Sequence, residues 1–205
     1  MRSDSDVLNK LLSSLKQCSD CTKMVESRCQ VMGEDHYPCS PAFKSYDPKM
    51  WKYFLIGIAP GRMPQKFKKK EEDNAFKYGS GLVLHNIFDM LDIADDVYIT
   101  NTIKCNTPKD NIFEQKDVER CIVKYLVNEI NIIRPEKIIV LGGQARDYFM
   151  KYLYTPINRK VTQHIYFTKH PAYYMRRPDK FNSYLKLWEQ IVNEDSLSAA
   201  AINVF

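Results

Sequence analysis

The sequence predicts an α/β domain, a three-layer α/β/α sandwich around a central, mostly parallel four-stranded sheet. Three observations carry that expectation. Short apolar runs such as Tyr53 to Ile58 (YFLIGI) and Lys137 to Leu141 (KIIVL) have the continuous apolar character of strands buried on both faces. Stretches with helical apolar spacing lie between them, and such alternation builds parallel sheets covered on both sides. Each run ends in a turn rich in glycine, proline, asparagine or histidine.

In chain order, Ser5 to Lys16 places Val7, Leu8, Leu11, Leu12 and Leu15 on one helical face, with Ser3 or Asp4 as cap. An irregular cysteine-bearing stretch follows to about Met50, broken by Pro38, Pro41 and Pro48. The first strand is Tyr53 to Ile58. Gly81 to Leu91 is a helix with Leu82, Leu84, Ile87, Phe88 and Leu91 inward. Val97 to Thr100 is the second strand and Glu114 to Ile133 one long helix. The third strand, Lys137 to Leu141, stops at Gly142-Gly143 and precedes a helix from Ala145 to Tyr152. His164 to Thr168 is the fourth strand and Phe181 to Val192 the closing helix. Residues 1–195 are read as one domain and 196–205 as a C-terminal tail.

With 205 residues, 44% of them hydrophobic, the chain suffices for one sizeable core. No apolar stretch approaches the ~18 residues of a membrane span. The first ten residues mix Asp4, Asp6 and Lys10 and lack a signal-peptide core. The expected location is the cytoplasm, where six cysteines serve as ligands or plain thiols rather than disulfides. The net charge of +5 favours polyanionic partners only weakly. The run Arg62, Lys66, Lys68, Lys69 and Lys70 is either a solvated loop or a phosphate-facing one.

In parallel sheets, ligands sit beyond the carboxyl ends of the strands. Here those ends are Gly57-Ile58-Ala59-Pro60-Gly61, Asn101-Thr102, Gly142-Gly143-Gln144 and Lys169-His170-Pro171-Ala172, four turns expected on one rim. Cys18 and Cys21 form a C-x2-C pair, and Cys105 and Cys121 complete a quartet. Four thiolates satisfy either tetrahedral zinc or a [4Fe–4S] cluster. The second pair lacks the short spacing of a zinc knuckle, and the intervening 106–113 loop suits a bulkier group. Zinc and buried structural thiols are the alternatives. Cys29 and Cys39 are left over, and either is a possible substitute in the quartet.

Gly57-Ile58-Ala59-Pro60-Gly61, Tyr98-Ile99-Thr100-Asn101-Thr102-Ile103-Lys104-Cys105, Val140-Leu141-Gly142 and His170-Pro171-Ala172, in that order and with this cysteine spacing, resemble the iron–sulfur uracil-DNA glycosylases of families 4 and 5. The resemblance runs from about Leu12 to Trp188, with a longer insertion between Gln30 and Trp51. It implies a monofunctional DNA glycosylase that flips a pyrimidine and cuts its N-glycosidic bond, with DNA as partner and the protein a monomer. It implies a structural [4Fe–4S] cluster on Cys18, Cys21, Cys105 and Cys121. His170 takes the place of the histidine that donates to the departing base, and Asn101 that of the asparagine that reads the base edge. Phe76 takes the place of the ring stacking on the flipped base. Ser80 and Gly81 open a helix suited to a phosphate, and Tyr173, Tyr174, Arg176 and Arg177 lie in the DNA-facing segment.

The first motif departs from the family. Ile58 stands where family 4 has glutamate, and Arg62-Met63-Pro64-Gln65 replace later acidic residues. An apolar residue there resembles family 5, yet Tyr78-Gly79 occupies the place of that family's aspartate. Three accounts follow: a carboxylate from Glu71, Glu72 or Asp73 enters the site; His170 and Asn101 carry the rate; or the pocket takes another base, such as modified cytosine of phage DNA in antiviral defence. The competing class is a catalytically silent DNA binder, and a redox protein is a third.

Overall fold

A computed structural model describes residues 3–22, 26, 41, 48, 51–60, 79–105, 114–154 and 164–194. Helix α1 (Asp4–Lys16) starts at a reciprocal cap, in which the Ser3 hydroxyl accepts from the Asp6 N–H and the Asp6 carboxylate accepts from the Ser3 N–H. The elements that follow are β1 (Tyr53–Gly57), α2 (Gly81–Met90), β2 (Val97–Asn101), α3 (Gln115–Cys121) and α4 (Val127–Ile133). Then come β3 (Lys137–Leu141), α5 (Gly143–Tyr152), β4 (Ile165–Thr168), α6 (Pro171–Met175) and α7 (Phe181–Asn193).

The four strands form one sheet in the order β2-β1-β3-β4, every pair parallel. All positions of all four strands are buried, as continuous apolar runs require. Alternation of side chains divides the core. Phe54, Ile56, Tyr98, Ile138, Val140, Ile165 and Phe167 pack against α1, α3, α4 and α5. Leu55, Ile99, Ile139, Leu141 and Tyr166 pack against α2, α6 and α7. This is the three-layer sandwich expected, with a wholly parallel sheet.

Three elements differ from the sequence reading by more than a terminal residue. The 114–133 helix is interrupted by a π-helical turn, Ile122–Leu126, beginning directly after Cys121. The helix after β3 starts at Gly143 rather than Ala145, because Gly142 adopts φ +92° as its N-cap and completes the turn within one residue. The segment after His170, given no element in the sequence reading, is helix α6, and it buries Tyr174 against Tyr184, ring centroids 3.8 Å apart. Tyr174 therefore belongs to the core and not to a DNA-facing surface. Gly61, Phe76, Cys29, Cys39, the Arg62–Lys70 run, Glu71 to Asp73 and the 196–205 tail lie outside the described residues. Among the described residues, no helix is long and apolar enough to cross a membrane.

Lys137 closes the far end of the sandwich. Its buried Nζ donates to the carbonyls of Ile191 (2.6 Å), Val192 (3.2 Å) and Glu194 (2.9 Å), capping α7 where helix carbonyls have no internal partner. Lys137→Met should lower folding stability by about 2–3 kcal/mol, since charged hydrogen bonds are lost and carbonyls are orphaned. A lower urea midpoint at unchanged slope would show it; an unmoved midpoint would show the cap to be energetically idle.

Candidate active site and cysteine-lined cavity

Because all strands run parallel, Gly57, Asn101, Leu141 and Thr168 end on one edge. The turns beyond them are fastened in pairs. The Thr102 N–H (2.8 Å) and hydroxyl (3.0 Å) both donate to the Gly57 carbonyl, and the Ile103 N–H donates to that of Ile58 (2.9 Å). On the other side the Gly142 N–H donates to the Thr168 carbonyl (2.8 Å). A Cβ at Gly142 would come 3.1 Å from the Cβ of His170, so the bare glycine lets the third turn approach the histidine. The rim thus presents, in sheet order, Asn101, the Gly57–Pro60 turn, Gly142 and His170.

Asn101 is 2% exposed, and its Oδ1 has no hydrogen-bond partner among the described residues. An unpaired buried amide oxygen is costly and points to a role beyond packing. His170 is the N-cap of α6, and its Nδ1 accepts from the Ala172 N–H at 3.2 Å. An accepting Nδ1 assigns the hydrogen of the neutral ring to Nε2. Burial first, then the Arg176 charge, holds the His170 pKa below the usual histidine value, so the ring is neutral near pH 7.

The four cysteines line one cavity on the α1/α3 side of the sheet. Cys18 and Cys21 follow α1, Cys105 follows β2 and Cys121 ends α3; none of the four is in a disulfide. Two cations one helical turn apart hold the first pair in place. Arg120 Nη1 donates to the Asp20 carbonyl (2.6 Å) and lies 3.8 Å from Cys21 Sγ. Lys124 Nζ pairs with Asp20 Oδ2 (2.6 Å) and lies 4.0 Å from Cys18 Sγ. Burial pushes the Cys121 thiol up to about 12, and burial followed by the Asp117 charge raises Cys21. Such thiols ionise at neutral pH when a soft metal takes the proton's place. Among the described residues, no group of three or more His, Cys, Asp or Glu side chains is arranged to hold a metal ion.

Behind the cavity lies an ion pair that the sequence reading missed. Lys104 Nζ is 2.6 Å from Glu129 Oε2, with both side chains 1% exposed. The Thr100 hydroxyl bonds both partners. Burial pushes the Glu129 carboxyl up, while Lys104 and the nearby hydroxyls pull it back. A signal was present: Glu129 interrupts the apolar stripe of Ile122, Leu126 and Ile133, and Lys104 and Arg120 immediately precede cysteines.

Of the residues expected at the rim, Gly57 and Pro60 are buried, while Ile58 and Ala59 are half-buried against the core. Ser80 sits at the start of α2 without a side-chain cap bond, which leaves the first-turn N–H groups of α2, from Gly81 onward, without that partner. Tyr173 is half-buried beneath the Lys169 ammonium, 4.4 Å from its ring centre, and Arg176 is exposed.

A parallel sheet with an amide and a histidine on its carboxyl rim, beside a cavity that four thiols help to line, defines the class as a three-layer α/β domain. The chain belongs to the uracil DNA glycosylase superfamily, whose profile matches residues 43–192. It is 28% identical over 136 residues to the type-4 uracil-DNA glycosylase of Pyrobaculum aerophilum, covering 66% of this chain and 60% of the relative. It is 31% identical over 112 residues to that of Archaeoglobus fulgidus, covering 51% and 52%. With the Thermotoga maritima protein of the same name it shares 24% identity over 188 residues, 86% of this chain and 87% of the relative. The chain thus spans less than two thirds of the first two of these relatives.

Proposed function

We propose that this protein is a monofunctional DNA glycosylase that draws a uracil out of DNA and hydrolyses its N-glycosidic bond, leaving an abasic site. The observation that carries the reading is the buried, unpartnered Oδ1 of Asn101 on the strand-end rim that also bears His170. A carboxamide offers donor and acceptor at fixed spacing, matching the edge of a pyrimidine. Bond cleavage leaves negative charge on the departing base, and donors pre-set for that charge lower the barrier. His170, neutral with its hydrogen on Nε2, supplies one without a proton having to be gained first. Ile58 cannot activate water, so base stabilisation by His170 and Asn101 carries most of the rate on this reading.

Cys18, Cys21, Cys105 and Cys121 would hold a [4Fe–4S] cluster. The four thiols around one cavity and the flanking Arg120 and Lys124 support a metal centre there, and the family resemblance favours a cluster over zinc. When bound, the cluster ties the segment after α1 to the turn after β2 and the end of α3. Phosphates would meet Arg176 and the first turn of α2, so binding should weaken steeply with salt. A second reading rests on Ile58: an apolar residue on the pocket wall favours a bulkier modified pyrimidine, such as modified cytosine of phage DNA.

The test is single-turnover base release from uracil-containing DNA and from DNA with modified cytosines. Uracil release is expected, slowed by about 10²–10³-fold in His170→Ala. Release only from modified DNA would favour the second reading, and tight binding without product would make the protein a binder.

The same histidine sets a pH dependence. Its folded pKa lies below the unfolded value near 6.5, so the unfolded chain binds the proton first as pH falls. The stability that neutral His170 contributes is complete above pH ~6.5 and declines as pH drops toward the folded pKa. Charging the ring also ends the Nδ1 cap bond. The rate should therefore stay level through pH 6.5 and fall only in more acid solution; a fall centred at or above 6.5 would contradict the assignment.

A further inference from the structure

We propose that Lys104 is a positioning residue for the iron–sulfur cluster: anchored by Glu129, it places a buried positive charge beside Cys105 and Cys121 and so tunes the cluster's potential and retention. The inference rests on the cluster reading above. Packing alone does not call for this pair. Two charges 2.6 Å apart and 1% exposed lose their hydration, and an apolar pair of similar volume commonly does as well or better.

What distinguishes the pair is its orientation. Lys104 lines the cysteine cavity, whereas Glu129 does not. Of the pair, Lys104 is therefore the partner nearer the sulfurs. Four thiolates exceed the charge of a [4Fe–4S] core, and net charge and nearby donors set such a cluster's potential. Arg120 and Lys124 also approach sulfurs, but they are about half exposed and already committed to Asp20 and Asp117. Lys104 is the buried cation of the three, so solvent screens it least.

Its place in the chain adds a mechanical role. Lys104 adjoins Cys105, and Glu129 lies in α4, just beyond the π turn that follows Cys121. Their pairing draws the two cysteine-bearing segments together across the cavity. Thr100, which bonds both, precedes Asn101 on β2, and the Ile103 N–H holds the Ile58 carbonyl. The network that orders the cluster ligands thus rests on the same strand end as the base-reading amide.

The experiment compares the full-length native protein, Glu129→Gln, and Lys104→Met combined with Glu129→Gln, all purified anaerobically. Reduction potential is measured by optical titration, and iron loss by the rate of transfer to a chelator. Removing only the negative charge should raise the potential. Removing both should lower it below native and speed iron loss by several-fold. A structural role alone would move both variants the same way or neither, and either result overturns the proposal. Should the double variant fail to fold, the sign of the Glu129→Gln shift decides: positive supports the proposal, and zero or negative overturns it. Native protein without iron would overturn the cluster reading and this inference together, whereas iron-loaded variants with native potentials would overturn this inference alone.

Discussion

Asn101→Ala should slow single-turnover base release by about 10²–10³-fold, the usual loss when a preset donor to developing charge is removed, while leaving the fold as stable as before. The rate half falls on Nδ2, the donor, and the stability half on Oδ1, the acceptor. Oδ1 is buried without a partner among the described residues, so the folded state gains little from the amide and bears its desolvation. Truncation removes that burden at the expense of a small void, and the two effects oppose each other. Residues kept for function against stability behave this way. Rate and urea midpoint measured on the same preparation check it. A large loss of stability with the rate preserved would make Asn101 a structural residue and remove the main support for base reading.

Cys121→Ala should have the largest effect on folding. Cys121 joins the end of α3 to a cavity whose other thiols come from the segment after α1 and the turn after β2. A group bound by all four links stretches of chain distant in sequence, and its binding energy becomes folding energy. The variant should lose the brown colour, most of its iron and most of its soluble yield. Iron on the order of four atoms per native chain is expected for a [4Fe–4S] cluster. A colourless native protein with about one zinc would replace the cluster by a tetrahedral site. A stable, fully active Cys121→Ala would remove the structural role for either metal.

Much of this molecule was legible before folding was considered. The continuous apolar runs from Tyr53 and Lys137, the helical stripe of Leu84, Ile87 and Phe88 (Leu82, expected inward, is exposed) and the polar ends of the four strands are local patterns, which depend on near neighbours. That is why the layers and the shared rim followed from them. The cysteine quartet was read from the residues, the resemblance assigned it a cluster, and the structure gathers it around one cavity. Gly142 shows the limit of such patterns. It reads as a strand stop, and its closeness to His170 depends on β3 and β4 being neighbours.

The remainder emerged with packing across the sheet. Lys104 and Glu129 meet over a long stretch of chain, as do Arg120 and Asp20, and no local spacing announces either pair. Tyr174, which the resemblance placed in a DNA-facing segment, turns its ring onto Tyr184 once α6 forms. Lys137 opens a strand, yet its ammonium caps a helix that ends more than fifty residues later. Side-chain periodicity is written into the backbone geometry of each element and is readable one element at a time. The partner of a buried charge depends on strand order and crossovers, and these exist only once the two core layers have closed on the sheet.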